Sequence, residues 1–424
     1  MKLNYGKTFL LGFGFFGISI AWGIYNLFVP VFLSEKFGLS IVVVGFFMTL
    51  DNIAALLIQP WVGAWSDKLN TPFGRRMPFL LIGAPISAVV FGLIPVAAIL
   101  PFFAACTISF LLSMAFWRTP VIALMPDITP SQFRSQANGI INFMGGIGFI
   151  VASLGGSKLY EMNPTYPFWL GSILVVLAAL VVFFFIREPK VVASSEEKPG
   201  MIESLKFLSK EKDRSGFRLL LAILSWFIAY SALDTLFTLY SINHLGIGEA
   251  NGARLLSQLS LVFILFAIPS GYIGGKFGRK RTIMTGIMIM ILIMVSIFLI
   301  PVSVLNTQLF TLPVLGVVPV LGVLLMIAGL GWALININSL PMVVDLSDLA
   351  HVGTYTGLYY LFSTLAAIIG PNINSWIIQL TGNNFNSIMF VAPIFMIIAF
   401  ILMSSVRRGE AVPVSGNIPA TAPE

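Results

Sequence analysis

Three ionisable residues, Asp51, Arg118 and Asp234, lie inside runs that are otherwise apolar. A charge at the centre of a membrane-spanning helix costs about 2.5–3.5 kcal/mol on insertion scales, so each needs a function or a partner. Asp51 is a candidate proton or sodium carrier, because binding a cation removes the cost of its charge. A structural acid bonded to a neighbouring helix is the alternative. Asp234 shares a polar stripe with Tyr230, Thr238 and Ser241 at helical spacing, which suits the wall of a wet cavity or plain proximity to outer water. Arg118 can offer its planar fork to an acid or a hydroxyl-rich ligand, or snorkel to the nearer interface. Recognition of a sugar ring needs aromatic faces for its C–H surface and planar polar groups for its hydroxyls, in a pocket that is mostly apolar. Ser19, Trp22 and Asn26, with Tyr25 adjacent, supply that combination once. Trp332, Asn336 and Ser339 supply it again, and Asn142, Tyr359 and Tyr360 could join them. Packing and the lipid interface are the competing uses of these aromatics.

The elements that must position these groups are long apolar helices. Of 424 residues, 58% are hydrophobic and 10% are charged. That stock suffices for about twelve crossings at roughly 20 apolar residues each. Disorder is excluded, a soluble enzyme lacks the charge it would need, and a transmembrane β-barrel lacks the required alternation. Helices are predicted near 8–33, 40–62, 78–99, 101–125, 136–160, 166–186, 217–242, 254–274, 282–304, 313–341, 354–379 and 387–405. The first run is too long for the apolar core of a cleavable signal peptide. Placing both termini in the cytoplasm puts 20 Lys and Arg on the inner side against 3 on the outer, the bias expected of a plasma-membrane or bacterial inner-membrane protein. The net charge of +7 therefore reads as topology, and no nucleic-acid partner is expected.

Residues 187–216 hold 13 of the 41 charged residues and divide the chain into segments 1–186 and 217–405. Met201, Leu205 and Leu208 suggest a short amphipathic helix in this linker, and 406–424 reads as a disordered cytoplasmic tail. The halves repeat each other. GAWSDKLNTPFGRRMPF from Gly63 matches GYIGGKFGRKR from Gly271, while Asp127 and Gly139 match Asp345 and Gly357 at a single offset of 218. The expected fold class is an all-α membrane protein with twelve transmembrane helices in two pseudo-symmetric six-helix bundles. Duplicated halves commonly hold a substrate site where they meet.

Gly63, Asp67, Lys68, Gly74, Arg75 and Arg76 follow the loop signature of the major facilitator superfamily, with extra residues before Gly74. That longer form, together with LDNIAALLIQPWVGAWSD and FWRTPVIALMPDITP, resembles the sucrose/proton symporter branch and its bacterial relatives. The branch is related to the glycoside–pentoside–hexuronide:cation symporters. The resemblance implies a central cavity lined by helices 1, 4, 7 and 10, an important arginine at Arg118, and a loop latch of Asp67, Arg75 and Arg76 favouring an outward-open state. A carboxylate such as Asp67 can accept hydrogen bonds at a neighbouring helix N-terminus, and the arginines can bind carboxylates or lipid phosphates. In the second copy Gly275 replaces the acid. Plant members of the branch carry a proton-bearing aspartate three turns before the arginine; Thr107 stands there in this chain. Asp51 or Asp127 then carries the coupling, or coupling is absent, with Asp127 also readable as a helix-boundary acid.

The expected activity is import of a glycoside of disaccharide size with a proton, or with sodium, by alternating access. A drug/proton antiporter and an uncoupled facilitator are the alternatives. The partners are then the sugar, the ion and the bilayer, and a monomer suffices. No cofactor or metal is expected, since no Cys/His/Asp group has ligand spacing and no nucleophile–base pair or ATP-binding loop is present. Cys106, the single cysteine, reads as packing. His244 and His351 fall in loops on opposite sides. GFGFFG, from Gly12 to Gly17, follows no strand and reads as helix packing, as do Gly145, Gly146 and Gly148.

Overall fold

The computed structural model describes residues 4–129, 134–188, 213–312, 315–346 and 352–409; the side chains at 60, 64, 67, 68, 126, 134–136, 138, 352–354 and 356 lie outside that description. The suggested amphipathic helix at 201–208, the tail beyond 409 and His351 also lie outside it. Among the described residues, eleven helices are long and apolar enough to cross a bilayer, and the apolar helix Met77–Leu93 is shorter. The molecule is an all-α multi-pass membrane protein.

In chain order the helices are α1 (Tyr5–Val31), α2a (Ile41–Phe47), α2b (Leu50–Lys68), α3 (Met77–Leu93), α4 (Leu100–Ile128), α5a (Arg134–Ile150), α5b (Gly156–Met162) and α6 (Tyr166–Phe185). The second series is α7 (Ser215–Asn243), α8 (Glu249–Phe277), α9 (Arg279–Leu299), α10 (Val320–Val344), α11 (Val352–Leu380) and α12 (Ser387–Ser404). Local chemistry sets several starts. The Asn4 side chain accepts from the Lys7 N–H at 3.0 Å at the head of α1, and α3, α4 and α6 each carry Pro in the first turn, where its missing N–H costs nothing.

Packing repeats between the series. α1 lies against α5a and α6 as α7 lies against α11 and α12, and α3 packs on α4 and α6 as α9 packs on α10 and α12. Matching glycines permit matching approaches: a Cβ at Gly148 would lie 2.5 Å from the Phe16 carbonyl oxygen, and one at Gly370 would lie 2.5 Å from that of Ile228. The backbone contact at both points leaves room for hydrogen only.

Three predicted features differ. The second crossing is broken at Met48–Thr49, because the buried Thr49 hydroxyl bonds back to the Phe46 carbonyl at 2.8 Å and accepts from Asn372 Nδ2 at 3.1 Å. The first and fifth crossings contain π-helical turns, Phe32–Lys36 and Val151–Gly155. Residues 316–319, placed at the start of the tenth crossing, instead form β2 (Gly316–Pro319), which pairs antiparallel with β1 (Gln308–Leu312) from the segment before it. These strands are rich in β-branched and large apolar residues, and Gln258 Nε2 ties β2 to α8 through the Val317 carbonyl at 3.1 Å.

The segments 63–76 and 271–281, at the ends of α2b and α8, lie on one side of the membrane, the basic face. Polar contacts join the halves toward the opposite face: Thr49 with Asn372, and Glu161 with Arg254 at 2.8 Å. Gly45 packs against Ser375 beside the first of these. Toward the basic face Leu57, Trp61, Ile268, Tyr272 and Tyr360 are exposed.

Candidate functional site

The break in the second crossing places Asp51 in the first turn of α2b. Unpaired N–H groups and the helix dipole favour an anion at such a terminus. Asn52 Nδ2 donates to Asp51 Oδ1 at 2.8 Å. Asp51 lies within electrostatic reach of Tyr25 on α1 and Arg118 on α4. The Arg118 guanidinium carbon stands 5.7 Å from the Trp22 ring centroid, within cation–π range. Trp22 meets Tyr25 edge-on at 5.6 Å, and Tyr25 stacks on Phe110 at 5.7 Å. Three buried polar atoms of this group have no hydrogen-bond partner: Trp22 Nε1, the Tyr25 hydroxyl and Arg118 Nε. Buried polar atoms are nearly always satisfied, so three orphans around one aromatic platform need an explanation. A hydroxyl-rich ligand would satisfy them.

The second half faces this group with its own aromatics. Tyr230 of α7 stacks on Trp332 of α10 with centroids 3.7 Å apart and planes 3° from parallel. Phe227 meets Trp332 and Tyr359 edge-on, at 5.3 and 6.3 Å. The Tyr359 hydroxyl pairs with Ser339 Oγ at 3.1 Å. Tyr360 adjoins Tyr359 at 5.4 Å and interacts electrostatically with Arg118, which links the halves across the site. Asp234 lies one turn beyond Tyr230 and interacts with it electrostatically.

Trp22, Tyr25, Asp51 and Arg118 come together in one half, while Tyr230, Asp234, Trp332 and Tyr359 come together in the other. Asn26 and Asn336 are half-buried one turn from Trp22 and Trp332, and Asn142 is exposed. The polar stripe on α7 divides. Ser241 packs against Gly252 of α8 and donates to the Thr238 carbonyl at 2.7 Å, so both serve helix packing. Ser19 likewise packs on Gly145 of α5a. Thr107 donates to its own helix, at the Phe103 carbonyl.

Asp127 stands apart from this site. It bridges Arg75 Nη2 at 2.8 Å and Arg76 Nε at 3.2 Å, at the end of α4. The repeat holds in the second half, where Arg279 pairs with Asp345 and donates to the Pro341 carbonyl at 2.9 Å. Asp127 is thus grouped with the loop arginines, away from the aromatic platform.

Sequence reasoning missed Glu188. Its carboxylate accepts the backbone N–H groups of Arg75, Arg76 and Met77 at 2.9, 2.8 and 2.9 Å, closing the N-terminus of α3. Gly74 takes φ +111° there, and a Cβ on it would lie 2.6 Å from the Glu188 carboxyl carbon. The general role expected of Asp67 is thus filled at α3 by an acid 112 residues after Arg76. The Asp67 side chain is outside the described set.

A family profile described as the Major Facilitator Superfamily matches residues 11–318. Among curated relatives, "Multidrug resistance protein 2" of Bacillus subtilis (strain 168) is 25% identical over 266 residues, which is 61% of this chain and 65% of that protein. The chain thus spans just under two thirds of that relative's length. "Sucrose transport protein SUC3" of Arabidopsis thaliana is 24% identical over 44% of this chain and 37% of its own. A solved structure of a bacterial homolog to human lysosomal transporter Spinster, in an inward-facing and occupied conformation, shares the fold with TM-score 0.73 at 14% identity, covering 95% of this chain and 97% of its own. The profile spans most of the chain, and the eleven long apolar helices with a shorter twelfth, the paired halves and the twin loop arginines accord with it: this protein belongs to the major facilitator superfamily.

Proposed function

We propose that the protein is a secondary transporter, not an enzyme, that imports a glycoside of disaccharide size with a proton. The carrying observation is the cluster of orphaned polar atoms, Trp22 Nε1, the Tyr25 hydroxyl and Arg118 Nε, around an aromatic platform where the halves meet. Trp22 supplies a ring face, and Arg118 and Asp51 can donate to and accept from hydroxyls. Trp332, Asn336 and Tyr359 close the site from the other half, with Asn26 and Asn142 at its margin. The similarity to a sucrose transport protein supports this substrate class.

The basic face is taken as cytoplasmic, in the plasma or bacterial inner membrane, with both termini inside. The arrangement is then inward-open, sealed outside by Thr49–Asn372 and Glu161–Arg254. Substrate and proton bound from outside neutralise the buried acid and let the bundles rock. Asp127, paired with Arg75 and Arg76 inside the first half, belongs to the latch loop on the cytoplasmic side, whose closure would favour the outward-open state. One chain contains both half-sites, so a monomer suffices.

Thermal unfolding in detergent tests the assignment. A ligand at 100 times its Kd stabilises by about 2.7 kcal/mol. A disaccharide panel should contain a stabilising sugar whose effect is lost in Trp22→Ala and Arg118→Ala. A panel without effect would reject the substrate class. A drug/proton antiporter is the second reading, favoured by similarity to a multidrug resistance protein and by the Tyr230–Trp332 stack beside an acid. Dye efflux from intact cells separates the two.

A further inference from the structure

The two carboxylates buried near the cavity have unlike surroundings. Asp51 is supported as an anion three times over: by the helix terminus beneath it, by the Asn52 amide at 2.8 Å and by the nearby Arg118 guanidinium. Asp234 has none of these supports. It lies inside α7, in neither its first nor its last turn. Among the described residues no side-chain hydrogen bond or ion pair involves it, and its electrostatic neighbour is Tyr230.

The packing around α7 explains that isolation. Its neighbours are α11, α12, α8, α1 and α10. α10 and α12 carry no ionisable residue between Val320 and Val344 or between Ser387 and Ser404. α11 contributes Tyr355, Tyr359 and Tyr360, and Tyr359 is already bonded to Ser339. α1 contributes Tyr25, and Tyr5 and Lys7 at its far basic end. On α8, Arg254 is paired with Glu161, while Glu249 and Lys276 sit at the two ends. On α7 itself, Arg218 lies four turns away, bonded to the Ser405 carbonyl, and Tyr240 lies toward the opposite face. Among the described residues, no fixed cation is positioned to neutralise Asp234.

We propose that Asp234 is the residue that binds and releases the coupling proton, while Asp51 stays charged as the counter-ion of Arg118 within the sugar site. This rests on the symport reading and deepens it. The step is simple: the Asp234 carboxylate takes one proton from the aqueous side to which the cavity is open, becomes a neutral acid, crosses with the bundle, and returns the proton on the other side. Tyr230 sits one turn away and stacks on Trp332 of α10, so the state of Asp234 can bear on the aromatic wall that closes the site. An acid already balanced by a guanidinium gains little from a proton. An acid without a cation gains the full relief of its buried charge.

The test needs no identified substrate. The full-length protein in lipid vesicles is titrated with protons and followed by infrared difference spectroscopy of the carboxylic-acid C=O stretch. The wild type should show a reversible buried-acid band that is lost in Asp234→Asn and kept in Asp51→Asn. In Asp234→Glu the band should persist at a shifted frequency, which covers the case in which Asp234→Asn does not fold. A band that survives Asp234→Asn, one lost in Asp51→Asn, or no band in the wild type overturns the assignment. Sugar-induced thermal stabilisation of the same samples reports separately on the substrate reading.

Discussion

Weakening the ion pair that spans the halves should shift the balance between conformations, and the size of the shift can be worked out. Arg254 Nη2 and Glu161 Oε1 lie 2.8 Å apart on α8 and α5b, with side chains 26% and 48% exposed. Partly exposed pairs of this kind are worth about 0.2–1 kcal/mol after screening. Since 1.4 kcal/mol is a factor of ten in an equilibrium constant, Glu161→Gln should raise the ratio of opposite-face-open to opposite-face-closed molecules about 1.4- to 5-fold. The upper part of that range applies at low salt, and the effect should shrink as ionic strength rises. Cys106 is the only cysteine, so a Cys106→Ala background permits one spin label on each half at the opposite face, read by pulsed dipolar distance measurement. The long-distance population should grow in Glu161→Gln and in Arg254→Gln, and fall back in the exchanged pair Glu161→Arg with Arg254→Glu. An unchanged distribution in both single variants, or an exchange that restores nothing, would refute the idea that this contact holds the face shut.

Two more predictions concern the basic face. Glu188→Gln replaces a carboxylate that caps three backbone N–H groups of α3 with a neutral amide; losing a helix cap typically costs about 0.5–2 kcal/mol, so the unfolding temperature in detergent should fall, and an unchanged midpoint would show that the cap contributes nothing. Asp213, outside the membrane spans, is held below the usual carboxylate range chiefly by the Ser215 backbone N–H at 3.0 Å, with Arg408 assisting at 2.8 Å. A depressed acid stabilises the fold above its unfolded value and loses that contribution as pH falls through its folded value, so acid unfolding of Asp213→Asn should be less steep below about pH 4; a profile identical to wild type would contradict this.

The twelve crossings were legible because each is a long apolar run whose length matches a bilayer. The duplicated halves were legible because polar landmarks such as Asp127 and Asp345 recur at one spacing. Trp22, Arg118 and Asp51 drew attention for the same reason: a polar residue in an apolar run stands out. Thr49 did not, because the break it makes depends on Asn372, which is 323 residues away in sequence. Glu188 was hidden in a charged linker, where one acid resembles its neighbours until the α3 terminus is seen beside it. Phe110 and Phe227, which build the aromatic platform, are indistinguishable in sequence from packing phenylalanines. Asp127 was readable as buried chemistry or as a boundary acid, and its pairing with Arg75 and Arg76 becomes visible only in the fold.

The most direct test of the account is sugar accumulation in proteoliposomes under an imposed proton gradient, acidic outside. The account predicts that at least one labelled disaccharide rises above its external concentration, that a protonophore collapses the excess, and that Asp234→Asn still exchanges the sugar without concentrating it. Equilibration that ignores the gradient, or no disaccharide uptake at all, would contradict it.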